Sequence, residues 1–170
     1  MRGRAGFEDF YRANYGRMVA LVTAVIGDRA EAEDVAQEAF ARALARWNRL
    51  SGYDLPEAWV RRVALRIAAD SGRRLHRALR TGARLSAQRP APSPAPGDGL
   101  GFTELGRALA QLPLRHREVL VLHYLADLPV EQIAVDIGLS PGTVKSRLAA
   151  GRRRLERELT QHPGAVRDAG

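Results

Sequence analysis

The segment Ser86–Gly101, SAQRPAPSPAPGDGLG, limits what the chain can fold into more than any other feature. Four prolines and three glycines fall in it, with Leu100 as its one large apolar residue. Prolines deny the backbone donors that a helix or sheet needs, and no apolar face exists to bury, so the segment reads as a flexible linker. It divides the 170 residues into 1–85 and 102–170, each the size of a small domain. Both sides show apolar residues at three-and-four spacing, without strand-like alternation or hairpin dipeptides. The expected fold is therefore all-α, two small helical domains joined by a Pro/Gly-rich flexible linker.

In the first domain Phe7, Phe10, Tyr11, Met18, Leu21, Val22 and Val25 mark one helix, ended by Gly27-Asp28. Ala36, Phe40, Ala43, Leu44 and Trp47 form the stripe of a second. A loop, Asn48 to Leu55, leads to Pro56, which opens a third helix with the stripe Trp59, Val60, Val63 and Ile67. Ser71-Gly72 is a possible break in that helix. In the second domain helices are expected over Glu104–Leu112, Arg115–Leu125, Val130–Ile137 and Pro141–Leu159.

The run from Glu131 to Leu148, EQIAVDIGLSPGTVKSRL, carries the sharpest local grammar. Ile133, Ala134 and Ile137 face inward on a short helix, and Gly138 permits a left-handed turn. Ser140 is placed to cap the next helix and Pro141 to start it. This is the pattern of a helix-turn-helix, the C-terminal domain's expected motif. On the second of its helices Val144, Leu148, Gly151 and Leu155 share one face, leaving Gly142, Thr143, Lys145, Ser146 and Arg153 outward, where a major groove would receive them.

Charge is uneven. The formal net charge is +8, and Lys145 is the sole lysine among 27 basic residues. Between Arg61 and Arg89 stand nine arginines and one acid, Asp70, so this segment holds the entire excess. Arg62, Arg66, Arg73, Arg77, Arg80 and Arg84 would lie within a sector of roughly 60° on one continuous helix, a geometry suited to a phosphate backbone. Trp47, Tyr53 and Trp59 lie nearby, and aromatic rings beside arginines hold unpaired bases by stacking. Asp28–Glu38 is the reverse, five acids and one base, with Asp34, Gln37 and Glu38 on the face away from the apolar stripe. By itself that face is explained by solvation.

The chain has no cysteine, which excludes a disulfide framework, a thiol nucleophile and cysteine-bound zinc. His76, His116, His123 and His162 show no metal-ligand spacing and read as structural or surface residues. No nucleophile, phosphate loop or paired acidic cluster points to catalysis, and no cofactor is expected. The first residues lack a signal-peptide apolar core, and the longest apolar stretch, from Val19 to Ile26, is far too short to span a bilayer. A cytoplasmic monomer that does not touch a membrane is the expectation.

Taken in order, Ala32–Phe40, Pro56–Ala64, Leu112–Leu125 and the helix-turn-helix running into Arg152-Arg153-Arg154-Leu155 resemble bacterial sigma factors of the sigma-70 family. The resemblance is to the short extracytoplasmic-function (ECF) type, which keeps only sigma domains 2 and 4. It implies a domain 2 over 1–85, a linker over 86–101 and a domain 4 over 102–170, with core RNA polymerase and promoter DNA as partners and an anti-sigma factor as a further candidate. It also implies roles. Asp34, Gln37 and Glu38 become polymerase contacts, reversing the solvation reading. Asn48, Tyr53, Trp59, Arg62, Arg66, Arg73 and Arg74 become candidates for holding the melted -10 element. Ser140, Thr143, Lys145, Ser146, Arg147 and Arg153 become candidates for reading the -35 element. The chain departs from the family pattern at Arg66, commonly Asn; at Gly72, where many carry Trp; and at Gly142, often Glu. The linker, extended at about 3.1 Å per residue, spans on the order of 50 Å, or roughly 15 base pairs. A helix-turn-helix regulator that binds duplex DNA without polymerase is the rival reading, and a small enzyme or adaptor a more distant one.

Overall fold

Glycine and aspartate side by side end one helix and start the next. Gly27 takes φ 80°, its N–H donating to Thr23 O at 2.7 Å, and Asp28 Oδ1 accepts from Glu31 N at 2.9 Å. Left-handed glycine closes the last turn without a Cβ penalty, and the aspartate cap is worth about 1 kcal/mol. The computed structural model describes residues 3–80 and 104–161, with side chains, Arg4 apart, only to Gly72 in the first segment. Within them every regular element is helical. The chain divides into two compact units.

The N-terminal unit packs α1 (Arg4–Ile26), α2 (Arg29–Ala45), the single turn α3 (Trp47–Leu50) and α4 (Pro56–Arg80). Its core is made by Met18, Val19 and Val22 of α1, Val35, Ala36, Ala39 and Phe40 of α2, and Val60, Ala64 and Ala68 of α4. Small residues on α2 let the helices close up, and an aromatic cluster fills the remaining space. Phe40 is 2% exposed and touches Phe10, Tyr11 and Tyr15 at ring-centroid distances of 5.8, 5.2 and 5.8 Å. Such pairs add about 0.5–1.5 kcal/mol each beyond the area they bury.

The second helix and the loop after it differ from expectation. The second helix stops at Ala45, so Trp47 is not on its stripe and Leu44 is 45% exposed. Arg46, at φ −116° and ψ 13°, turns the chain, and α3 restarts it, placing Trp47 edge-on against Phe7 at 5.4 Å. The expected loop thus begins after Leu50, with Asn48 on a helical turn. Ser71-Gly72 does not interrupt α4, which runs unbroken to Arg80; one helical glycine costs about 1 kcal/mol, a penalty a packed helix absorbs.

The C-terminal unit contains α5 (Glu104–Gln111), α6 (Leu114–Leu120), α7 (Val130–Ile137) and α8 (Pro141–Gln161). The expected single helix over Arg115–Leu125 changes register partway: residues Val121–Leu125 form a π-helical turn. Ala126 N donates to Val121 O at 3.1 Å, His123 Nδ1 bonds Leu128 O at 2.9 Å, and Asp127 takes φ 52°. The wider turn keeps Val121 and Leu122 in the core and carries Tyr124 and Leu125 outward. The proline-rich segment 86–101, with Arg84 and His162, lies outside the described residues.

Candidate functional site

The first candidate face is acidic. Asp34, Gln37 and Glu38 are exposed on α2, opposite the buried Ala32, Val35, Ala36, Ala39 and Phe40. Glu38 Oε1 accepts from Arg42 Nε at 2.8 Å, an exposed pair of adjacent turns. Such pairs are worth only about 0.3–0.5 kcal/mol, so a partner could take the carboxylate at little cost.

The second is the α3–α4 corner. Asn48 and Tyr53 are exposed, Tyr53 at 43% and the neighbouring Leu55 at 62%. Trp59 leans half-buried on the core with the Arg46 guanidinium 5.7 Å from its ring centroid. Trp47 is core, 8% exposed between Phe7 and Phe10, and offers no stacking surface. Of the three aromatics, only Tyr53 presents a free ring. Arg62 is half-buried and Arg66 exposed. Because α4 is continuous, the helical register shared by 62, 66, 73, 77 and 80 is kept. The side chains of Arg73 and Arg74 lie outside the described residues.

The third is the helix-turn-helix. Gly138 takes φ 70° and Leu139 N donates to Ala134 O at 2.9 Å, turning the chain out of α7. Thr143 N donates to Ser140 Oγ at 3.2 Å, and the Ser140 and Thr143 hydroxyls are 2.8 Å apart. Ser146 Oγ donates to Thr143 O at 2.9 Å. Ser140, Thr143 and Ser146 therefore serve the start of α8, and what they keep for a ligand is oxygen lone pairs more than donors. Val144, Leu148 and Gly151 seat α8 on the unit while Lys145, Ser146 and Arg153 are exposed. Arg147 is different. It is half-buried, and its charge acts on His116 and Glu118 of α6.

Several functional-looking contacts were not legible in the sequence. Arg152 Nη1 donates to Tyr124 Oη at 3.0 Å, tying the π-helical turn to α8. Glu118, on α6, is half-buried; burial pushes its carboxyl up to about 7, against a downward pull from Arg147. His116 is buried and held below the ordinary imidazole range by burial and by Arg115, Arg154 and Arg147. A charged residue in a helix reads by default as solvent-facing, and only the helix-on-helix packing reveals otherwise. Among the described residues no cluster of His, Asp and Glu is arranged to hold a metal ion, and no helix is long and apolar enough to cross a membrane.

Comparison with known proteins covers both units. Residues 10–78 match the family model of sigma-70 region 2, and residues 102–155 that of sigma-70 region 4. The ECF RNA polymerase sigma factor SigL of Mycobacterium tuberculosis is 34% identical over 140 residues, covering 79% of this chain and 78% of that protein. SigW of Bacillus subtilis, also an ECF RNA polymerase sigma factor, is 29% identical, covering 90% and 88%. A probable RNA polymerase sigma factor of Xanthomonas campestris, RfaY, is 34% identical, but the chain spans only 40% of its length. In fold, the chain is similar to the sigma factor RpoE of Bartonella quintana, solved in complex with the anti-sigma factor NepR. The TM-score is 0.73 at 23% identity, covering 91% of this chain and 97% of that one.

Proposed function

The chain belongs to the sigma-70 family of RNA polymerase sigma factors, in its extracytoplasmic-function branch, and we propose that its two units divide the work of promoter recognition. As a sigma factor it directs RNA polymerase to promoters. In the proposed division, domain 2 (residues 1–85) docks on polymerase through Asp34, Gln37 and Glu38 and holds the opened -10 element. The linker (86–101) sets the reach, and domain 4 (102–170) reads the -35 element.

The observation that carries this reading is the seating of α8: a capped first turn and a buried Val144–Leu148–Gly151 seam, with Lys145, Ser146 and Arg153 turned outward. A helix held this way presents hydroxyl acceptors and the Lys145 and Arg153 cations to base edges and phosphates without loop rearrangement. At the other element, opening DNA costs a few kcal/mol per unstacked base. The exposed Tyr53 ring offers about 1–3 kcal/mol of stacking in return, and Asn48, Trp59, Arg62, Arg66, Arg73 and Arg74 complete the proposed surface. RNA polymerase supplies the chemistry, and the chain itself is non-catalytic and cytoplasmic. An anti-sigma factor is a further proposed partner, as one is for the Bartonella relative.

Asp34→Arg combined with Glu38→Arg tests the division. Both side chains are exposed, so the fold is retained while binding to core polymerase is lost. A doubly substituted chain that still binds core polymerase and supports transcription would return the advantage to a stand-alone helix-turn-helix regulator.

A further inference from the structure

Tyr124 and Arg152 belong to none of the surfaces assigned above, yet the fold joins them across 28 positions of sequence. The π-helical turn Val121–Leu125 makes the joint. Its widened backbone, closed by Ala126 N on Val121 O and Leu128 N on Leu122 O, both at 3.1 Å, carries the Tyr124 ring out to 56% exposure. His123 meets that ring edge-on at a centroid distance of 4.8 Å and is itself fixed by its Nδ1 on Leu128 O at 2.9 Å. The Tyr124 hydroxyl in turn accepts from Arg152 Nη1 at 3.0 Å. A run of contacts thus leads from the Leu128 carbonyl through two rings to an exposed guanidinium on α8. Arg152 stands two turns past Lys145, which is also exposed. At 100° and 1.5 Å per residue, the two cations lie within about 20° of one line along α8 and about 10 Å apart.

We propose that Arg152 contacts a backbone phosphate of the -35 duplex and that Tyr124 is its positioning residue, with the π-helical turn as the device that brings Tyr124 to α8. The inference rests on the reading of α8 as the DNA-facing helix of domain 4. A surface arginine ordinarily loses rotamer freedom when it meets a ligand, and that loss weakens binding. Arg152 has already given up part of that freedom to Tyr124. The tyrosine takes one N–H of the guanidinium, and the remaining donors keep the rigid fork that suits a phosphate. The hydroxyl stays on Nη1 in the complex, where bond and contact polarise one another in the same sense. Neither residue reads a base, so their share of the affinity is the same on every sequence.

The test uses the full chain and a short fluorescent duplex of mixed sequence, with anisotropy titrations from about 50 to 200 mM salt. Both side chains are exposed, so the variants keep the fold, which far-UV circular dichroism checks. Arg152→Ala is expected to bind about tenfold more weakly near 0.1 M salt and to lower the slope of log affinity against log salt by about one. Tyr124→Phe keeps the ring and every charge; it is expected to bind about threefold more weakly with the slope unchanged, and to add no loss in the Arg152→Ala background. Arg152→Lys is expected to restore the slope without the full affinity. A Tyr124→Phe chain that binds as wild type does, or tighter, overturns the positioning role. One that weakens binding equally with and without Arg152 marks a merely structural tyrosine and overturns it too. An Arg152→Ala chain with the wild-type slope overturns the contact. If Lys145→Ala lowers the slope in that case, the reading of α8 stands and only the proposal falls; if neither variant lowers it, that reading falls as well.

Discussion

Replacing Gly151 by valine should unseat the recognition helix while leaving the N-terminal unit intact. The magnitude follows from opposing effects. Putting any side chain in place of a helical glycine gains up to about 1 kcal/mol of propensity, less for a β-branched residue. Against this, even the first added carbon meets Leu120 Cδ1 and Cγ at 3.2 Å, inside the ordinary contact distance of about 3.5–4.0 Å. Leu120 is 2% exposed and His116 5%, so neither yields without disturbing the core. Overpacking of this kind costs about 1–3 kcal/mol, which makes Gly151→Ala close to neutral or mildly destabilising. The two extra methyls of valine push the net loss to about 2–4 kcal/mol. Urea unfolding monitored by NMR resonances of α8 measures the loss. Tryptophan fluorescence reports only the N-terminal unit, because Trp47 and Trp59 both lie there, and it should be unchanged. Unaltered α8 stability in Gly151→Val would refute the claim that this close approach seats the helix.

Three further outcomes are expected. Because Glu118 is near 7 when folded against a reference of 4.5, the folded state binds more protons across that window. Stability of the C-terminal unit should then fall by up to about 3 kcal/mol as pH climbs from 4.5 through 7, and flatten above; denaturation of Glu118→Gln at pH 5 and pH 8 should lack this fall, and an unchanged pH dependence would contradict it. Asp28→Ala should cost the N-terminal unit about 1 kcal/mol by removing the cap on Glu31 N, seen in fluorescence-monitored urea unfolding, where a shift below a few tenths would count against the cap. Tyr53→Ala should leave stability unchanged yet weaken promoter opening by about 1–3 kcal/mol, read by 2-aminopurine fluorescence in the -10 region; normal opening would remove Tyr53 from the proposed surface.

Punctuation residues made much of the fold legible. Pro129 and Gly138 bound α7 at Val130–Ile137, where the spacing places it, and Pro141 opens α8 behind the Ser140 cap. Where no such residue marks a change, the sequence is silent. Nothing around Arg46 announces the turn that parts α2 from α3, so a period extended through it assigns Leu44 to the core and Trp47 to the wrong helix. The π-helical turn slips the phase by one residue over Val121–Leu125, a shift no three-and-four count detects. The outward face of α8 was readable because it is polar opposite an apolar seam. Arg147 and Glu118 were not separable from it, since both are charged residues on helices and only the folded packing shows them half-buried. Likewise Ser140 could be read both as cap and as DNA contact, and only the 3.2 Å bond to Thr143 N shows the cap in place.

The most direct test of the account is transcription in vitro by core RNA polymerase with and without the chain, on a fragmented library of its own genome, with transcript starts sequenced. New starts sharing two upstream motifs at fixed separation are predicted, one for each unit. Failure to bind core polymerase, with no new starts, would contradict the assignment of the acidic α2 face and with it the division of labour proposed for the two units.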